Sequence, residues 1–500
     1  MMGRTGAAIG LTDAAVWLAV LALASCAPLR PARPLMLYVA PDGNDEGTGR
    51  RRAPFASLAR ARDEVRRRRE AGKLPFGAVV NVLPGDYALT ETFALSAEDA
   101  GTEEAPIVYR GADGTRPTLL GGKALIGFRP YRDKILKCDL KANGLAGKRL
   151  GQLFFQGRRM QLARFPNLDP DDPHGGPWAH VARAEGSDQH TEFFYDIDET
   201  HTWAHPEEGR VFVFGGYDWA FRICAIAKHL PDERKIVLKQ STWGPLRIGD
   251  RYCIEGLFEE LDAPGEWYHD TRTDTLYFWP PEPIDDGDVV APVVRDLIAL
   301  DGADYVTIQG LTVEMCDGAG VKLANCLRSL VAGCTVRNVG GTGISISGGE
   351  HSGARSNDVH ACGHHGIAVA GGDRKTLTPG HNFAENNYLH HCGQIWRTYR
   401  NGIAIRGVGN RIAHNTITDV PRYGISLKTF AIGRSSHNNV IEWNRLERTN
   451  LETNDTGAIE TLGRDREDSG NIIRYNLMLD SVGLKTTEAG EFLSPYYTWG

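Results

Sequence analysis

The most regular feature of the chain is a glycine that heads a short apolar run, again and again, in its second half. Gly320-Val321, Gly343-Ile344, Gly366-Ile367, Gly402-Ile403, Gly424-Ile425 and the looser Gly457-Ala458-Ile459 follow one another at intervals of 23, 23, 36, 22 and 33 residues. A second anchor moves in step with the first: Asn357, Asn387, Asn415, Asn444 and Asn476, each followed closely by an aliphatic residue. Two anchors that travel together predict a stack of equivalent coils, each about 22 residues long with longer loops at two places. Glycine would supply a positive φ or a tight corner. Asparagine tolerates the left-handed region and can bond its stacked neighbour. Leucine-rich repeats would show LxxLxL and propellers longer blades; neither pattern is present. The fold class expected is all-β: a right-handed parallel β-helix from about Asp304 to Gly500, its strands about 4.8 Å apart on successive coils.

The first half reads differently. Leu37 to Ala40 has strand character, and residues 54–69 carry Phe55, Leu58, Ala61 and Val65 at helical spacing. Short strands follow at Val79 to Leu83, Phe93 to Leu95 and Ile107 to Tyr109. A helix leading into short strands is a means of shielding the first coil of a stack, whose open edge invites aggregation. Arg66 to Arg69 are read as the solvated face of this capping helix. Beyond Gly151 the texture becomes aromatic, as in Leu153-Phe154-Phe155, Val211-Phe212-Val213-Phe214 and Thr275 to Trp279, and the glycine–asparagine period is missing. This stretch predicts an inserted antiparallel domain resembling a β-sandwich. The domain order expected is 1–26 leader, 27–36 tether, 37–150 cap and first coils, 151–290 insert, and 291–500 coils that continue beyond the last residue. The final Trp499-Gly500 falls where Thr456-Gly457 stood one coil earlier.

A net charge of −7 over 500 residues argues against a nucleic-acid partner. The N-terminus has the form of a targeting segment: Arg4, an apolar run from Ala14 to Ala24, then Leu23-Ala24-Ser25-Cys26. That is a lipobox pattern, which makes Cys26 the expected site of lipidation and the protein an exported one anchored to a bacterial cell envelope. The apolar run is too short for a permanent transmembrane helix. The other cysteines have strand neighbours and no CxxC spacing, so buried thiols are expected rather than bridges or structural zinc. The protein is expected to be a monomer.

Chemistry is expected where loops lengthen, between Gly366 and Gly402 and between Gly424 and Gly457. The second interval ends in the densest polar cluster: Asn450, Glu452, Asn454 and Asp455, then Glu460, Arg464, Asp465 and Arg466. Cleavage of a glycosidic bond needs two carboxyl groups flanking it, and turn aspartates with surface ion pairs are the bland reading of the same residues. The first interval holds Trp396 and Tyr399, able to stack on a sugar ring. His364, His365, His390 and His391 lie nearby at spacings that match no metal motif, so no metal is expected there.

Several segments resemble known carbohydrate-active β-helix proteins. Leu37 to Asp63 (LYVAPDGNDEGTG…APFASLARARD) resembles their opening segment. GQLFFQGRRMQLARFPN (151–167) and GEWYHDTRTDTLYFWP (265–280) resemble their inserted β-sandwich. GGDRKTLTP (371–379), GVGNRIAHN (407–415) and ETNDTGAIETLGRD (452–465) resemble glycoside hydrolase family 141 and its relatives, which include fucosidase and xylanase activities on plant cell-wall glycans. The resemblance implies a glycoside hydrolase acting on a polysaccharide or oligosaccharide. Its first catalytic aspartate would be Asp455, with Asp465 as runner-up and a partner carboxylate one coil later. Glu452, Glu460, Arg464, His365, Trp396 and Tyr399 are the expected substrate contacts, and no cofactor is expected. Two alternatives stay open: a polysaccharide lyase with Lys428 or Arg406 as base, which usually also uses a metal and under which Ca²⁺ is possible, and a non-catalytic glycan-binding surface protein.

Overall fold

The computed structural model describes residues 33–481 except 170–175, 185–188, 197, 217–218, 220, 430 and 454–455. The expected leader with Cys26, the first catalytic candidate Asp455 and the end of the last coil therefore lie outside the described residues.

Three long parallel sheets wind around one core. A complete coil gives one strand to each, as in Ile298–Asp301, Val306–Gln309 and Thr312–Glu314, after which Val321–Ala324 begins the next. The sheets contain eight, ten and nine strands respectively. In the eight-stranded sheet the glycine-headed runs are in register, Ile344 beside Ile367, then Ile403, Ile425 and Ile459. Alternation along each strand sends these isoleucines inward and the intervening residues out.

The two anchors work by different physics. The heading glycines do not need left-handed backbone. A Cβ on Gly343 would lie 2.6 Å from the carbonyl oxygen of Gly366, and one on Gly366 would lie 2.8 Å from that of Gly402. Close approach of coils excludes a side chain there. The asparagines form a buried ladder: Asn357, Asn387, Asn415 and Asn444 each donate Nδ2–H to the next residue's Oδ1 at 2.9 Å, ending at Asn476. The left-handed corner is made one residue earlier, at Ser356, Asn386, His414, Trp443 and Tyr475, with φ between 56° and 58°. A second ladder runs through Asn382, Asn410, Asn439 and Asn471.

At the N-terminal end a helix covers the first coil, spanning Leu58–Glu70. It starts later than the apolar spacing predicts. The Asp45 carboxylate accepts from the amides of Ala56 and Ser57, and Ser57 caps the helix by accepting from Arg60 N. Phe55 is left outside, pairing in a parallel bridge with Val39. Nor is the arginine run a plain solvated face. Arg66 grips the buried Asp99 with two bonds of 2.7 and 2.6 Å, and Arg67 and Arg68 pair with Glu64.

The chain leaves the coil after Thr118–Leu120 and rejoins it at Ile298–Asp301. The antiparallel strands between begin at Gly122–Ala124 and end at Val289–Pro292, so the insert takes in segments that precede the aromatic texture. It comprises an eight-stranded and a seven-stranded sheet, each with its own apolar cluster rather than one shared core. Polar clamps fasten it to the coils: Asn338 Nδ2 to Gly157 O at 2.7 Å, Arg159 to Val339 O at 3.0 Å and Arg251 to Glu452 O at 2.9 Å. The eight described cysteines are buried free thiols.

Candidate functional site

The insert departs at the corner between the nine-stranded and eight-stranded sheets, and the long loops cluster on either side of the latter. A cleft of about 900 Å³ lies over its outer face. The floor is built from the outward positions of adjacent coils. Ser345, Ala368, Ala404 and Ser426 form one column in register, and Ser347, Ala370 and Arg406 form the next. Small side chains keep the first column flat over four coils. One wall comes from the corner loops, with His364, His365, Tyr399, Arg400, Asn401 and Tyr423. The other comes from the loop carrying Lys428, Thr429, Ala431 and Arg434, and Trp219 and Trp243 reach in from the insert. Trp243 is 66 % exposed, an unusual state for a large aromatic residue that has a core available nearby.

The electrostatics of the cleft are one-sided. Lys428, Arg400, Arg406 and Arg434 line it, and among the described lining residues there is no Asp or Glu. Lys428 is ion-paired with Glu460, and its Nζ lies 3.2 Å from the Tyr423 hydroxyl. Glu460 extends the floor column, in register with Ser426 on the next strand. Arg422 is fully buried beneath, 4.6 Å from the ring centres of both Tyr399 and Tyr423. Burial pushes the Tyr423 hydroxyl well above its usual range, so it remains a neutral donor.

The two histidines of the wall are held neutral. Burial, reinforced by the Arg400 cation, brings His365 down to about 3 and His364 down to about 4. The Nδ1 of His365 accepts from Asn401 N–H at 2.9 Å, which leaves its proton on Nε2. Asn401 is 5 % exposed, and its Oδ1 has no hydrogen-bond partner.

The expected contact residues divide. His365 and Tyr399 line the cleft, and Glu460 reaches it through Lys428. Trp396 instead packs on Phe221 of the insert, ring centres 5.3 Å apart, and helps hold the two domains together. Glu452 is buried and ion-paired with Arg397, and its backbone carbonyl takes the bond from Arg251. Arg464 is anchored by its backbone amide to Ser435 Oγ at 3.2 Å. Asp465 accepts from Arg374, from Gly433 N at 2.7 Å and from Ser435 N at 3.2 Å. These donors outweigh the burial of Asp465 and hold its carboxyl far below the usual range. An anion held in this way fastens the loop and is poorly suited to donating a proton.

Arg400, Asn401, Arg434, Trp219 and Trp243 were not singled out by sequence. The signal available for the tryptophans was their position in polar loops with no apolar period around them. Away from the cleft, Asp358, His360 and His390 bring ligand-type atoms within 4.8 Å of one another on the nine-stranded sheet. The rings of His360 and His390 stack there at 4.5 Å, following the in-register pairing of their strands.

A family model described as right handed beta helix region matches residues 294–378 and 331–478. Among solved structures, one named as a glycoside hydrolase aligns with a TM-score of 0.70 and 18 % identity, covering 88 % of this chain and 88 % of that chain. The xylose complex of XylC aligns with a TM-score of 0.49 and 14 % identity, covering 83 % of this chain and 63 % of that one. Pectate lyase Pel9A gives 0.39 and 10 %, with coverages of 88 % and 80 %. No curated protein matches the sequence. At such identities the likeness establishes architecture: the chain is an all-β, right-handed parallel β-helix. Among the described residues no helix is long and apolar enough to cross a membrane.

Proposed function

We propose that the protein is a glycoside hydrolase that holds an extended glycan along the outer face of the eight-stranded sheet. The observation that carries this reading is the cleft itself. A flat floor of small residues spans adjacent coils, with an exposed tryptophan above it and neutral hydroxyl-binding groups in its wall. Sugar rings bind by stacking on aromatic faces and by hydrogen bonds to their hydroxyls. The structure named as a glycoside hydrolase agrees with this choice of chemistry. Asp455 is our candidate for one of the two carboxylates, and Glu460, ion-paired to Lys428, is our candidate for the other.

Lys428 and Arg406 favour a second reading, a lyase in which one of them removes a proton beside a uronate carboxylate. Ca²⁺ takes six to eight oxygen ligands, and the described lining, four cations and no carboxylate, does not fit that ion. Digestion of a plant polysaccharide panel separates the readings. A hydrolase yields new reducing ends without the ultraviolet absorbance of unsaturated uronates, and Asp455→Asn lowers the rate by about 100-fold or more. Absorbance rising with the reducing ends selects the lyase. Glycan retention without either signal selects a binding protein. Glu460→Gln should lower kcat; a change in KM alone would make Glu460 a positioning residue for Lys428.

Export with a lipid on Cys26 is part of the same proposal, since a glycan-degrading enzyme meets polymers outside the cytoplasm. Cys26→Ala should move the protein from the membrane fraction to the soluble one.

A further inference from the structure

We propose that the glycan this cleft takes is anionic, bearing uronate carboxylates or sulfate esters, with Arg400, Arg406 and Arg434 as its charge contacts. The inference rests on the reading of the cleft as a glycan site and adds the substrate's charge class. Elsewhere on the coils, outward arginines are matched to carboxylates on neighbouring coils: Arg337 with Glu314, Arg355 with Glu385, Arg411 with Glu442 and Arg448 with Asp419. The cleft breaks that habit. Neither Arg406 nor Arg434 has a side-chain hydrogen bond or ion pair among the described residues. Arg400 donates only to the carbonyl oxygen of Tyr399, at 3.0 Å, and its buried Nε has no partner.

The arrangement is costly without a ligand. Burial and the neighbouring Arg406 cation both disfavour the charge on Arg400. Like charges brought together disfavour one another, most strongly where one of them is desolvated, as Arg400 is. An entering carboxylate or sulfate offsets that cost and forms charge-assisted bonds, bidentate where the guanidinium plane allows. The net charge of −7 makes a patch with three arginines and no matching carboxylate among its described lining residues a local feature rather than a reflection of composition. The unpartnered Oδ1 of Asn401, an acceptor only, is matched by a sugar hydroxyl beside the charged group. Arg406 stands at the head of the outer floor column, beside Ala370 and Ser347, so a ring lying on those small residues would present its substituent to the guanidinium.

The test is affinity electrophoresis of the full chain through gels containing acidic polysaccharides (a polygalacturonate, a glucuronoxylan and a sulfated galactan), with carboxyl-reduced or desulfated counterparts as controls. At least one acidic polymer should retard the protein about tenfold more strongly than its neutral counterpart, and retardation should weaken as salt is raised. Arg406→Gln and Arg434→Gln, both exposed and checked for an unchanged melting temperature, should each remove most of that difference, the loss falling on the acidic polymer far more than on its neutral counterpart. Preference for the carboxylated or the sulfated polymer names the anion. Equal retardation by charged and neutral forms, or an Arg406→Gln loss that falls on both alike, overturns the charge assignment and leaves the glycan site standing. No retardation by any polymer, together with no digestion of the wider panel, removes the glycan reading itself.

Discussion

An asparagine inside a coil must satisfy both an acceptor and two amide hydrogens without water. In the ladder each does so with its neighbours above and below. Asn415, for example, receives from Asn387 and donates to Asn444 and to the carbonyl oxygens of Ala384 and Ala413. Asn415→Ala would strand polar groups on both adjacent coils and should lower stability by about 1–3 kcal/mol, measured as a shift in denaturant midpoint. Histidines make the second residue-scale prediction. His365 and His364 sit at about 3 and about 4 in the folded protein, against an ordinary value of 6.5. As pH falls below about 6.5 the unfolded chain binds those protons first, so stability is full above that pH and declines towards pH 4. Melting temperatures across this window should fall, and His364→Gln should flatten the slope. The asparagine anchor was legible because ladder residues must repeat with the coil. The left-handed corner was displaced by one residue, since types as different as Ser356, His414 and Trp443 serve there and no composition marks them.

At the scale of elements, strands were legible and boundaries set by distant partners were not. Phe93–Leu95 and Leu153–Phe155 fall where their apolar runs end. The cap helix starts three residues late because Asp45, from a preceding turn, claims the amides of Ala56 and Ser57. The insert begins before residue 151 because Gly122–Ala124 and Ile135–Asp139 pair with Val289–Pro292 and Thr275–Phe278, more than a hundred residues on. Coil-to-coil contact gives a testable limit. A Cβ on Gly402 would lie 2.4 Å from Ile417 Cγ2 and 2.8 Å from the carbonyl oxygen of Gly424. Gly402→Ala should therefore cost about 1–3 kcal/mol through overpacking, read from the same denaturation measurement.

At the scale of the molecule, the cleft exists because an insert, two loop families and one sheet face converge. Tyr399 could be named beforehand because it lies in a lengthened interval, and His365 because it borders that interval. Trp243 could not, since it comes from an insert loop, and Arg434, although in the second lengthened interval, stands on the opposite wall; only the winding of the chain brings both to the same floor. Trp243→Ala should weaken oligosaccharide binding severalfold through the lost stacking surface. Stability should stay within about 0.5 kcal/mol of the parent, because the ring is largely outside any core.

The central claim, that a glycan lies along this sheet face, is tested most directly by a crystal structure of the Asp455→Asn protein with an oligosaccharide from a polymer it binds. The account predicts sugar rings over Ala368 and Ala404, against Trp243 and within reach of Arg406. Sugar bound on another face, with this cleft holding only solvent, would contradict it.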